Sequence, residues 1–99
     1  MSREFVPIIE QARMGQIDEV KRISDNGETD INEVNNDGET AVLVACQRND
    51  TPMVSILIEV GAKVKVEDDF GYSPLFWAKR NNNPELVQLI EESLKQQAP

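Results

Sequence analysis

The sequence predicts an all-α fold, a solenoid of three stacked helix-turn-helix units, and three observations carry that expectation. Apolar residues recur every 33 residues, each period contains two runs with helical spacing, and turn-rich stretches join the periods. Four columns keep the period along the chain: Ile9, Val42 and Leu75; Ala12, Ala45 and Ala78; Val20, Met53 and Leu86; Ile23, Ile56 and Leu89. Gly38 and Gly71 obey the same spacing, as do Thr40 with Ser73 and Ile31 with Val64. Chance rarely produces so many agreements.

Breaks near Gly15, Asn49 and Asn82 divide each period into two helices, expected at residues 5–14, 18–26, 40–49, 52–60, 73–81 and 84–96. Ser73-Pro74, Thr51-Pro52 and Asn83-Pro84 each offer a capping side chain followed by proline, whose fixed φ and missing N–H suit the first helical position. Between units, the stretches from Asp30 to Gly38 and from Val64 to Gly71 alternate briefly and close on turn residues, so they read as projecting turns, or fingers.

The second helices place the ends of the stack. Met53-Val54-Ser55-Ile56-Leu57-Ile58 is apolar nearly all round, as a helix covered on both sides must be. Lys21, Arg22, Ser24 and Asp25 make the first of these helices polar on one side, and Gln88, Glu91 and Glu92 do so for the last. Such polar outer faces are what terminal repeats need. One domain over residues 1–99 is therefore expected, with an N-capping unit at about 3–34, an internal unit at 35–67 and a C-capping unit at 68–99.

Composition narrows the function. Eighteen Asp and Glu against ten Lys and Arg leave a net charge of −8, which disfavours nucleic acid and anionic membranes as partners. The same charge would steer a partner with a basic or metal-bearing face. A lone cysteine, Cys46, rules out an intramolecular disulfide and points to a reducing compartment. Met1-Ser2-Arg3-Glu4-Phe5 lacks the apolar run of a signal peptide, so the cytoplasm is expected, although a leader removed upstream would leave the same N-terminus.

No catalytic, cofactor or metal residue is expected, because a chain with no His, one Cys and no Gly-rich phosphate loop cannot assemble the usual nucleophile and base pairs. Glu67-Asp68-Asp69 falls in a finger turn, where solvated carboxylates are expected to serve the surface and not acid–base chemistry. Glu33, Asn35, Asp37 and Gly38 imitate half of a calcium loop, but Val44 stands where the closing bidentate Glu belongs. Cys46 beside Ala45 reads as a small buried hydrophobe.

Gly38-Glu39-Thr40-Ala41-Val42-Leu43-Val44-Ala45-Cys46 resembles the T-P-L-H-x-A signature of ankyrin repeats, and Gly71-Tyr72-Ser73-Pro74-Leu75-Phe76-Trp77-Ala78 also matches its proline and leucine. Val54, Ile56-Leu57-Ile58, Gly61-Ala62 and Val64 resemble the family's second helix and G-A-D-V-N ending. The first unit departs from the pattern: Phe5 replaces the finger glycine, and the loop after Gly27 is displaced by a residue. Leu43 and Phe76 stand where the family has its histidine, so one inter-repeat hydrogen bond is expected to give way to packing. The resemblance implies L-shaped repeats with β-turn fingers and a concave surface that binds proteins. On it, the implied contact positions are Asp37, Glu39, Gln47, Asp69, Phe70, Tyr72, Trp77 and Arg80. The expected function is a monomeric protein-binding module that docks a protein partner through acidic fingers and the concave face. The narrower alternative is a dedicated inhibitor or immunity protein that blocks the active site of a hydrolase.

Overall fold

The computed structural model describes residues 5–27 and 29–98. Met1 to Glu4, used in the leader argument, lie outside these residues, as do the expected unit ends at 3 and 99. Among the described residues six helices follow one another: α1 (Pro7–Arg13), α2 (Ile17–Asp25), α3 (Ala41–Gln47), α4 (Thr51–Glu59), α5 (Pro74–Arg80) and α6 (Pro84–Gln97). The first helices stack as one row, α1 on α3 on α5, and the second helices as another, α2 on α4 on α6. The core lies between the rows. Ile9, Val42, all three alanines of the second column, Val20, Met53 and Leu86 are buried there, while Leu75, Ile23, Ile56 and Leu89 pack on it half-buried. No strand forms among the described residues, and none of their helices is long and apolar enough to cross a membrane.

Helix ends follow local chemistry. Thr40, Ser73 and Asn83 accept hydrogen bonds from the backbone N–H groups of Leu43, Phe76 and Leu86, which caps α3, α5 and α6. For α4 the expectation shifts by one residue. Asp50, not Thr51, is the cap, accepting from the Met53 N–H at 3.3 Å, so Pro52 occupies the second helical position and Thr51 the first. The first helices also end in one way. Gly15, Asn49 and Asn82 take positive φ of 73°, 58° and 51°, and the following N–H groups of Gln16, Asp50 and Asn83 reach back to Gln11, Ala45 and Ala78 carbonyls. That pattern satisfies the last-turn carbonyls, and asparagine tolerates the left-handed conformation better than other non-glycine residues.

At the family's histidine position Leu43 is fully buried, as the packing expectation has it, but Phe76 is exposed; polar ties cross both junctions from other positions. Arg48 Nη1 donates to the Ala12 carbonyl at 3.2 Å, and one period later Asn81 Nδ2 donates to the Cys46 carbonyl at 2.9 Å. Two carboxamides clamp the loop after α4 from opposite sides. Asn32 donates to the Gly61 carbonyl and accepts from the Lys63 N–H, while Gln97 donates to the Ala62 carbonyl and accepts from the Val64 N–H.

Candidate functional site

Each finger is organised by one side chain at its base. Asn35 Oδ1 accepts from the N–H groups of Asp37 and Glu39, both at 3.0 Å, and its own N–H donates to the Glu39 carbonyl. One period later Asp68 Oδ1 accepts from Phe70 and Tyr72 at 2.9 and 3.0 Å, and its N–H donates to the Tyr72 carbonyl. Both side chains are about nine-tenths buried, so their oxygens serve the turn; for Asn35 this replaces the half calcium loop with an internal use of the same oxygen. The Asp69 N–H donates to the Asp37 carbonyl at 3.0 Å and joins the two fingers. Gly38, at φ 75°, permits that approach: a Cβ there would lie 2.9 Å from the Asp69 backbone nitrogen and against its carboxyl group. The fingers are therefore held by their own hydrogen bonds, and the side chains they project start from fixed positions.

Apart from the half-buried Trp77, the expected contact positions fall into two groups. Glu39 and Gln47 are bound to one another, Gln47 Nε2 donating to Glu39 Oε2 at 3.0 Å, while Asn35 Nδ2 and Arg13 approach Oε1 at 3.0 and 3.5 Å. Three donors thus converge on a carboxylate whose side chain is 12% exposed, and it holds the finger to α3 and to the preceding unit. Asp37, Asp69, Phe70, Tyr72 and Arg80 are exposed instead.

The aromatics gather in the third unit. Tyr72 stacks on Phe76 with centroids 4.6 Å apart and planes inclined by 22°, and Trp77 meets both edge-on at 5.3 and 5.1 Å. Phe70 is 73% exposed, Tyr72 40% and Phe76 37%. Trp77 is half-buried, packs against the core beneath this face, and its buried Nε1–H has no acceptor among the described residues. Phe76 completes the patch and was not among the expected positions. Phe76 and Leu43 share the family's histidine position, from which packing is expected; Leu43 is fully buried but Phe76 is not, and the signal for it is an aromatic four residues after Tyr72.

Cys46 is fully buried, and desolvation pushes its thiol pKa up from 9.0 to about 12, which makes it a packing residue and a poor nucleophile. Among the described residues no three His, Cys, Asp or Glu side chains gather to hold a metal ion.

Paired helices in two stacked rows, joined by hydrogen-bonded fingers, define a helical repeat solenoid. Residues 8–97 match the family model for ankyrin repeats in three copies, and the chain belongs to the ankyrin repeat family. Relatives include the rat ankyrin repeat and SAM domain-containing protein 6, 31% identical over 84% of this chain. A putative ankyrin repeat protein of Borreliella burgdorferi is 35% identical over 52% of it, and a palmitoyltransferase of Candida glabrata 34% over 65%. The chain spans only 10%, 24% and 8% of these three proteins. Ankyrin repeats are in general protein-binding modules without catalytic function of their own.

Proposed function

We propose that this protein binds a partner protein through its fingers and the adjoining face of the first-helix row, with the third unit as the centre of contact. The observation that carries the reading is the exposed aromatic patch of Phe70, Tyr72 and Phe76, set beside the carboxylates of Asp37 and Asp69. Aromatic anchors ringed by charge are the composition of interface hot spots. Phe70 has the least to do with folding, since it projects from the tip of a turn whose hydrogen bonds come from backbone and Asp68. Asp37 and Asp69 add attraction for a basic or metal-bearing partner face. Glu39 and Gln47 support the surface by fixing the finger to α3, and Trp77 supports it from below.

In this reading the chain acts as a cytoplasmic monomer, takes no cofactor, and contacts neither nucleic acid nor membrane. The inhibitor reading uses the same surface and differs in its consequence, since a captured hydrolase would lose activity on binding. Phe70→Ala tests the surface both readings share, and the partner's activity with and without this protein separates them. Binding to the captured partner should weaken by about 1–3 kcal/mol while stability changes by less than about 1 kcal/mol. Unchanged affinity in Phe70→Ala and in Tyr72→Ala would remove the site.

A further inference from the structure

On the protein-binding reading, the third unit also carries features that select the chemistry of the partner. The 33-residue register lets the second and third units be compared position by position. In the second unit, the residue after the finger glycine and the last residue of the first helix are Glu39 and Gln47, and they close on each other with a hydrogen bond of 3.0 Å. In the third unit the same positions are Tyr72 and Arg80. Here Tyr72 stacks on Phe76, and Arg80, with Lys79 beside it, makes no ion pair among the described residues. The line that the second unit satisfies internally is left open in the third.

That open line has a direction. At the finger end stand the exposed carboxylates of Asp37 and Asp69, which likewise make no ion pair among the described residues. In the middle lie the exposed, stacked rings of Tyr72 and Phe76, with Phe70 exposed beside the acids at the finger tip. At the far end of α5, Lys79 and Arg80 occupy the last helical turn, and Arg80 follows Phe76 by four residues, on the same helix face. The seven residues of α5 rise about 10 Å, so acid, aromatic and base succeed one another within the reach of about six residues of extended chain.

We propose that the partner presents an extended segment with a mixed charge order: a cationic side chain over the fingers, an apolar pair on the Tyr72 and Phe76 rings, and an anionic group at Lys79 and Arg80. A uniformly basic segment would satisfy the fingers and be repelled at the end of α5. Net charge alone would favour that basic segment, so the pair at the end of α5 is what selects against it.

The test uses two blocked peptides, Lys-Lys-Leu-Leu-Glu-Glu and Lys-Lys-Leu-Leu-Lys-Lys, titrated into the full chain at moderate salt, with amide NMR shifts as the readout. Lys79→Glu/Arg80→Glu should move the ratio of the two dissociation constants toward the all-basic peptide by about fivefold or more. The control Lys63→Glu/Lys65→Glu alters net charge equally at exposed positions elsewhere and should leave the ratio near its wild-type value. Equal movement of the ratio in both variants would overturn the mixed-charge inference and leave the protein-binding reading standing. If neither peptide shifts the Phe70 and Tyr72 amides at millimolar concentration, the mixed-charge inference falls, while the protein-binding reading is decided by Phe70→Ala and Tyr72→Ala.

Discussion

Single residues in this protein divide sharply between those used by the fold and those left to a partner, and burial shows which is which. Cys46 illustrates the first kind. Its folded pKa lies above that of the unfolded thiol, so its contribution to stability is complete below pH 9 and is lost as pH climbs toward about 12. The stability difference between wild type and Cys46→Ala, measured by denaturant melts, should therefore shrink from pH 8 to pH 10.5. A flat difference would mean the folded thiol reaches water. Trp77 gives a second test, because a buried indole N–H without an acceptor costs about 1–3 kcal/mol. Trp77→Phe removes that donor together with some packing and should change stability by less than about 1 kcal/mol; a loss above about 2 kcal/mol would show that the N–H finds an acceptor in solution. The sequence made Phe70, Tyr72 and the finger acids visible as surface candidates because turn residues have little core to join. It could not show that Glu39 and Gln47 satisfy each other, since eight residues separate them and only the finger's fold brings them together. Asn35 and Asp68 also share the 33-residue spacing, but one is an amide and the other an acid, which hid their common role as acceptors for the turn.

Elements were more legible than residues, because helix rows depend on periodic burial, which is written into the spacing of apolar side chains. All six helices fall close to their expected places, and the differences sit at the ends, where capping decides. Asp50 takes the cap from Thr51 because its carboxylate reaches the Met53 N–H. The internal helix α4 shows the limit of reading burial from composition. Its sequence is apolar nearly all round, yet Ile56 and Ile58 are half-buried and Ser55 is exposed, while Met53, Val54 and Leu57 are fully enclosed. The neighbouring helices α2 and α6 flank α4 but leave one side to solvent. Leu57→Ala should accordingly cost about 2–5 kcal/mol, the range for emptying an enclosed aliphatic site, and Ile56→Ala measurably less. Equal losses in denaturant melts would mean α4 is rotated from the orientation described.

At the scale of the whole molecule, stability belongs to the stack, because each helix pair exposes an apolar face that only its neighbour covers. The contacts run from one unit to the next through α1 on α3 on α5 and α2 on α4 on α6, and the ties from Arg48 to Ala12 and from Asn81 to Cys46 cross each junction. In this three-unit stack, coupling across the two junctions should exceed the stability of any isolated unit, giving one cooperative transition. Trp77 is the only tryptophan and lies in α5, so its fluorescence reports on the third unit alone. Ile9 lies in α1, fully buried in the first unit, and Ile9→Ala should remove about 2–5 kcal/mol. For a domain whose total stability is of order 5–15 kcal/mol, that is a large share. If the stack unfolds as one body, the urea midpoint seen by Trp77 in the Ile9→Ala variant should fall with the far-UV circular dichroism midpoint, although the mutation is two units away. A Trp77 midpoint that stays at its wild-type value while circular dichroism shows an earlier loss would mean that the first unit melts separately and that the third stands without it.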